Sequence, residues 1–425
     1  MPSRAATLYL PEQKAIWIYD YPRGLPCTPR QILSANAMFE WGLVTYDATN
    51  DTYTVNANLW IGRNNDTDTY VQIGSHSHPR ETLILKGNLV LHPWHIAGEN
   101  KTSPSVVAAP LINRLTLGVA DDPSVQAALK IHNEIGEYHT ILSGRYFRGA
   151  DSVTPPRCLG GQLHVYHSTI TADVQDRAHA IGAAGNRHMY LPGYSGQVVL
   201  KGATLSWVAG AIGFGLEAGY SDIEDTVFEH SGYALINPAQ VATNCVFRDL
   251  RTAILDWGGP IDANLTGCVF TNNDANWSLS RGRMHCVDCV LGPPRQGNLY
   301  KSWPEQKAGK QPYATFLSSR HLVVQVTDDA GTPVKGAQVA LLNLQIAEDR
   351  PMAVTDEQGR TPGRGSPVAI LLMQYGETAT DIENQPRRTD YAYTLTVTAP
   401  GYQPYLTPNV TVSESWQTLR VALKK

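Results

Sequence analysis

The sequence predicts an all-β chain: a β-solenoid of about ten coils followed by a small β-sandwich. Three observations predict it. Cysteine-led triplets recur as Cys245-Val246-Phe247, Cys268-Val269-Phe270 and Cys289-Val290-Leu291, at separations of 23 and 21 residues, the length of one solenoid coil. The same phase runs backwards through Thr226-Val227-Phe228, Ala203-Thr204-Leu205 and Ser168-Thr169-Ile170, and more loosely through Leu115-Thr116-Leu117, Leu89-Val90-Leu91 and Leu59-Trp60-Ile61. From His321 onward, strand-like alternation returns in short runs with turn signals roughly every 8 to 12 residues, the pattern of a sandwich.

Residues 1–55 form an N-terminal segment that carries a cap. Thr28 is placed as an N-cap, Pro29 in the first turn, Ile32, Ala35 and Phe39 on one apolar stripe, and Gly42 at the end of a short helix. Such a helix covers the apolar interior and unpaired backbone of an open solenoid end. Residues 56–292 are the solenoid. Side chains alternate along a strand, so the first and third members of each triplet point into a dry interior. The middle members, from Trp60 and Val90 to Val246, Val269 and Val290, form an outward column. Rungs about 4.8 Å apart bring Phe228, Phe247 and Phe270 into an aromatic stack. A second strand follows in the late coils, with Gly232–Asn237, Arg251–Asp256 and Asp274–Ser278 aligned on their alanines, which makes Asn237, Asp256 and Ser278 a polar column. Residues 293–319, rich in proline, glycine and lysine, read as a linker, and residues 320–425 as the sandwich.

Composition narrows the partners. A net charge of −4 offers no basic footprint for nucleic acid, and no apolar run approaches the roughly 20 residues that span a bilayer. The opening MPSRAATLYL lacks the pattern of a secretion signal, yet the rest of the chain suits an extracellular or cell-surface protein whose leader is absent from this sequence. Of six cysteines, three occupy inward ladder positions, where packing is the simple reading. Cys286 and Cys289 spell a CxxC pair behind His285, but residues three apart on an extended strand face opposite ways, which disfavours zinc or redox chemistry. Cys27 and Cys158 have no evident partners.

The tail resembles the carboxypeptidase regulatory-like family through Val326-Thr327-Asp328 with Gly331, Pro333-Val334, Gly336-Ala337, Thr355-Asp356 with Gly359, and Ala399-Pro400-Gly401-Tyr402. That resemblance implies a non-catalytic, transthyretin-like sandwich, often appended to secreted or surface proteins. By its rung pattern, the middle resembles the right-handed parallel β-helix of the pectate-lyase-like superfamily, which implies polysaccharide lyases, glycoside hydrolases, tailspikes or adhesins and decides no single activity. The Asn-Thr-Asp, paired-Asp, Gly-His-Gly and Arg-Ile-Lys signatures of polygalacturonases are absent, which disfavours a pectinase hydrolase.

Glycosidase chemistry needs two carboxyl groups about 5 to 5.5 Å apart for retention, or about 6.5 to 9.5 Å for inversion. Asp256 and Asp262 flank Trp257 and a Gly-Gly-Pro turn, so they form a candidate catalytic pair beside a platform for a sugar ring; the alternative is a tight turn with a packed tryptophan. Glu229 and Arg248 are rung neighbours, either catalytic and substrate-binding residues or a surface ion pair. His230 and Asp249 occupy the next column as a base and its orienter, or as part of a corner hydrogen-bond ladder. Trp207, Tyr233 and Trp277 are further candidate sugar platforms. Glu217, Asp222, Glu224 and Asp225 concentrate acid on one turn, where calcium is a candidate cofactor and solvated charge the alternative. Ser75-His76-Ser77-His78 places two imidazoles on one strand face, with His92 and His95 in the next rung region. Asn-x-Ser/Thr triplets at Asn50, Asn65, Asn100, Asn264, Asn276 and Asn409 matter only where the source glycosylates them.

Two functions follow. One is a polysaccharide-binding or polysaccharide-degrading protein, lyase or hydrolase, that uses a groove on the solenoid flank. The other is a non-catalytic surface, adhesive or filament-forming protein that self-associates through the outward valine column.

Overall fold

The computed structural model describes residues 6–19, 28–30, 41–62, 69–91, 113–132, 141–143, 162–172, 175, 190–193, 197–208, 210–214, 221–236, 241–256, 261–280, 282–300, 314–343, 352–379 and 386–425. The described chain is all-β apart from a helical start at residues 29–30. The rest of the expected cap, residues 31–40, lies outside the described residues, and Gly42 adopts a left-handed φ of 66°. Two compact units divide the chain: Met1–Ile261 with Val269–Leu279 and Leu291–Leu299, and Asp262–Cys268 with Ser280–Val290 and Tyr300–Lys425.

The first unit is a parallel β-helix. One sheet carries the triplets, in the order Val269–Thr271, Val246–Arg248, Val227–Glu229, Thr204–Ser206, Thr169–Ala172, Ala128–Ile131, Thr82–Leu85, Thr52–Val55. Successive strands pair in parallel, and an antiparallel strand, Val44–Asp47, closes the end. The register is the one that the triplets predict: Phe228 lies opposite Phe247 and Phe247 opposite Phe270. Their rings stack at 5.3 and 4.8 Å, all fully buried. The Cys245 carbonyl accepts the Val269 N–H at 2.8 Å, the rung bond expected of a coil stacked on its neighbour.

The three loosest rungs belong elsewhere than the triplet phase predicts. Leu59-Trp60-Ile61 and Leu89-Val90-Leu91 pair with each other, but in a separate five-stranded sheet with Ala6–Leu10, Ala15–Tyr19 and Ile141–Ser143. Leu115-Thr116-Leu117 lies in a further sheet, opposite Val71-Gln72-Ile73. Their places among the triplets belong to residues 52–55, 82–85 and 128–131. All of the expected inward side chains are buried, so the error lies in the phase around the coil. Apolar alternation looks alike in every sheet of a coil, whereas corners set which sheet a strand joins.

Left-handed backbone makes those corners. On one side of the triplet sheet stand Gly74, Gly118, His167, Gly202, Asp225 and Asn244; on the other stand Trp207, His230, Asp249 and Asn272, with φ between 49° and 83°. Glycine, asparagine and aspartate tolerate this region best. At Gly118 a Cβ would meet the Tyr166 carbonyl oxygen at 2.1 Å, so no other residue fits. A buried polar ladder lines the second corner: Val208 N–H donates to Ser231 Oγ at 3.1 Å and Leu250 N–H to Asn273 Oδ1 at 3.0 Å.

The strand after this corner, seen in Tyr233–Ile236, Thr252–Leu255 and Ala275–Leu279, corrects the alignment on alanines. Thr252 lies opposite Ala275, and Leu235, Ile254 and Trp277 share one column. The third segment is thus one residue out of the expected register, which swaps its two faces. Both faces are buried there, which is why periodicity did not identify the inward one. Asn237 lies outside the described residues.

In the second unit, the 15-residue strand Ala314–Asp328 begins inside the stretch that reads as a linker. Its first half pairs in parallel with Gly282–Val287, its second half with Gln417–Leu423, and Ile370–Ala379 runs antiparallel along it with a bulge at Ser318/Ser319. At the changeover Asp288 accepts both the N–H and the Nδ1–H of His321, at 3.0 and 2.6 Å, while His321 stacks on Trp416 at 4.3 Å. A second sheet of Met352–Val354, Gln338–Leu342, Tyr393–Thr398 and Tyr405–Val410 completes the sandwich around Leu322, Val324, Val339, Leu341, Leu372 and Leu395. Cys286 and Cys289 both point inward, contrary to the strand expectation, because Asp288 between them is left-handed at φ 54° and resets the alternation. Contact with Cys268 pushes the Cys289 thiol up to about 12, and burial raises the Cys286 thiol too, so both buried free thiols stay protonated.

Phe247→Ala is expected to cost about 3 to 5 kcal/mol in chemical denaturation, whereas Val246→Thr, on the outward face, should cost far less. Gly118→Ala should lower stability by at least about 2 kcal/mol. Asp288→Ala leaves the His321 N–H unpaired and should cost about 1 to 3 kcal/mol, read from the same curves.

Candidate functional site

A polar array lies on the outer face of the sheet formed by Thr69–Ile73, Asn113–Leu117, Gln162–Tyr166, Gln197–Lys201, Ser221–Glu224 and Val241–Thr243. Alternation sends Val71, Ile73, Leu115, Leu117, Leu163, Val165, Leu200 and Ile223 into the core. Their neighbours therefore face outward in register. Tyr70, Arg114 and Gln162 form one row, Gln72, Thr116, His164, Val199 and Asp222 the next, and Tyr166, Lys201 and Glu224 the third.

The array is tied together. The Arg114 guanidinium lies 5.5 Å above the Tyr70 ring and donates from Nε to Gln162 Oε1 at 2.8 Å. Its two terminal nitrogens bond no other described residue, and so present a fork suited to a planar anion. Gln72 Nε2 donates to the carbonyls of Gly74 and Gly118, at 3.0 and 3.3 Å, which fixes its amide across two coils. The Tyr166 hydroxyl and His164 Nδ1 lie 3.3 Å apart, with the rings edge to face, and burial pushes the Tyr166 phenol up. Thr116 Oγ1, buried between Gln72 and His164, has no hydrogen-bond partner among the described residues. Planar amides, an aromatic ring and a clamped cation, repeated at the rung spacing of about 4.8 Å, make a rigid surface on which an extended polar polymer can lie.

Most residues singled out in the sequence are committed elsewhere. Glu229 and Arg248 are ion-paired rung neighbours, joined through Arg248 Nε at 2.7 Å and through Nη2. Trp207 stacks on His230 at 4.6 Å. Asp249 bonds Asn272 and, at 3.2 Å, Arg295, which also reaches Asp274. This corner is therefore a polar and aromatic ladder, in which Asp249 turns to Asn272 and Arg295 rather than to His230. Arg251 lies 5.9 Å from the Tyr233 ring centre. Trp277, expected to be a sugar platform, is 1% exposed; the one-residue register change puts it in the Leu235 and Ile254 column.

Asp256 is buried in the first unit, its N–H bonded to Ser278 O at 2.9 Å. Asp262, in the second unit, is exposed and paired with Arg283 at 3.1 Å. Trp257 and Glu217 lie outside the described residues. Asp222 and Glu224 both face Lys201 Nζ, at 2.9 and 3.6 Å. Asp225 is exposed at a left-handed corner, with φ 49°. No three His, Cys, Asp or Glu side chains among the described residues are grouped to hold a metal. His76 and His78 do not share a strand face either: Ser75 and His78 bridge a turn, and the two imidazoles bond Asp122 and Asp51. His92 and His95 lie outside the described residues.

Sequence reasoning missed the array's own residues, Tyr70, Gln72, Arg114, Gln162, His164 and Tyr166. A signal for them existed: YVQI, RLTL and LHVY each end against a left-handed Gly74, Gly118 or His167, a second ladder in phase with the cysteines.

No protein-family model matches this chain, and neither does any curated protein. Among solved structures, a mutant of the periplasmic alginate epimerase AlgG overlaps with TM-score 0.25 at 7% identity, over 66% of this chain and 71% of that one. A double mutant of the same enzyme overlaps with TM-score 0.20 at 8% identity, over 72% and 71%. The parallel β-helix rests on the chain's own strand pairing.

A double-mutant cycle on Glu229 and Arg248 should return a coupling below about 1 kcal/mol, as for other solvent-facing pairs.

Proposed function

We propose that this chain binds an extended polysaccharide along the outer face that carries Tyr70, Gln72, Arg114, Gln162 and Tyr166, with His164 buried beneath Tyr166. One observation carries the reading: these side chains stand in register on successive coils, held in place by bonds to one another and to backbone carbonyls. Preorganisation of this kind spares a ligand the cost of ordering the surface. The fork of Arg114, whose terminal nitrogens bond no other described residue, favours glycans that carry carboxylates. The fold is then the right-handed helix of the pectate-lyase-like superfamily, and the protein works outside the cell or at its surface.

The tail fits a carboxypeptidase regulatory-like sandwich. Its characteristic residues shape the turns between strands. Asp328 Oδ1 accepts the N–H groups of Ala330 and Thr332, Asp356 Oδ1 accepts those of Gln358 and Arg360, and a Cβ at Gly359 would meet Val326 O at 2.3 Å. A second reading, self-association, has Val290 in its favour, which is 56% exposed.

Affinity electrophoresis in neutral and acidic polysaccharides tests the first reading. Retardation in at least one polymer is expected, with Tyr70→Ala and Arg114→Ala each weakening it by about tenfold, about 1.4 kcal/mol. Migration unchanged in every polymer, or variants that bind like the parent, would overturn it. The same incubations, followed for new reducing ends and unsaturated uronate absorbance, show whether binding leads to cleavage. Light scattering that rises with concentration and is abolished by Val290→Lys would support the second reading.

A further inference from the structure

One corner of the first unit carries ionisable groups that the glycan-binding face does not use. Glu81 opens the strand Thr82–Leu85, yet it is only 2% exposed. The Gly74 N–H donates to its Oε2 at 2.8 Å. On one side the turn 74–81 meets the preceding coil: His78 Nδ1 bonds Asp51 Oδ2 at 2.8 Å, and the Tyr46 hydroxyl donates to Asp51 Oδ1 at 2.9 Å. On the other it meets the following coil: His76 Nδ1 lies 3.0 Å from Asp122 Oδ2, and Gln126 N–H donates to Pro79 O at 2.7 Å.

Asp51, His78 and Arg30 are the charged groups that act on Glu81, and Tyr46 and Tyr53 complete its surroundings. A carboxylate in that position has exchanged its water for the Gly74 hydrogen bond, and Asp51 repels it. A neutral carboxyl there costs little.

We propose that this corner is an acid-strengthened latch, which holds the first three coils together in mildly acidic surroundings and loosens them as Glu81 ionises. Burial raises the Glu81 carboxyl to about 6 from an ordinary 4.5, with the Gly74 hydrogen bond opposing the rise. Between those values the folded corner binds more protons than the unfolded chain, so its stability falls as pH rises through the window and is level above it. The latch is independent of whether the neighbouring face binds glycan.

Hydrogen exchange on the full chain at pH 5 and pH 7.5, corrected for intrinsic rates, tests it. Amides of residues 74 and 82–85 should be up to about eightfold better protected at the lower pH, while those of the triplets at 246–248 and 269–271 keep their protection. Glu81→Gln keeps the shape and accepts the Gly74 bond without charge, so it should be as well protected at pH 7.5 as the parent is at pH 5. Asp51→Asn, which removes the repelling charge, should narrow the difference. Equal protection at both pH values in the parent, or an unchanged pH dependence in Glu81→Gln, would overturn the latch.

Discussion

Everything in the first unit depends on turning an extended chain through two tight corners in each coil without losing a backbone hydrogen bond. Single left-handed residues do this, and the chain supplies them chiefly as Gly, Asn and Asp at one corner and as Trp207, His230, Asp249 and Asn272 at the other. Left-handed residues still bond the next coil: Gly202 N–H reaches Glu224 O, Asp225 N–H reaches Thr243 O, and Asp249 N–H reaches Thr271 O. Where the corner is tightest, at Gly118, even a methyl group has no room. The corners thereby decide which sheet a strand joins, and so which side chains meet.

Alternation then couples the core to the surface. The strand that sends Leu115 and Leu117 inward must send Arg114 and Thr116 outward, and because rungs stack in register, the outward residues of successive coils fall into rows. A polar array of this kind needs no loop to position it. The sheet's own hydrogen bonds hold Gln72, Arg114 and Gln162 in place, and the buried Leu, Val and Ile side chains behind them keep the sheet rigid. Corner residues with spare polar groups bond one another, as Asp249, Asn272 and Arg295 do.

The second unit solves a different problem, a change of pairing partner in the middle of one strand. Ala314–Asp328 leaves Gly282–Val287 and takes up Gln417–Leu423 within a few residues. A polar group is exposed wherever a ladder switches, and Asp288 covers it by binding both the backbone and the ring of His321. The stretch that composition marks as a linker therefore includes part of a continuous strand. Composition records proline and lysine, but it cannot record the strand that comes to lie alongside.

The late coils were legible in the sequence because their triplets combine a small inward residue with a stacked phenylalanine, a pattern that survives in one dimension. The early coils were not, since Leu59, Leu89 and Leu115 alternate just as the triplets do although they lie in other sheets, and only the left-handed corners tell them apart. Of the candidate residues, the sequence placed Glu229 opposite Arg248 because neighbouring rungs differ by one coil length, but it offered Trp277 as a surface platform although both faces of its strand are buried. By itself, then, the sequence determined a stacked β architecture and its dry interior, for burial of apolar side chains at period two is local. Only the tertiary structure decided which outward residues share a row, and so which of them form the Tyr70 to Tyr166 array: neighbours on that face lie whole coils apart in the chain, and the lengths of the intervening turns follow no period.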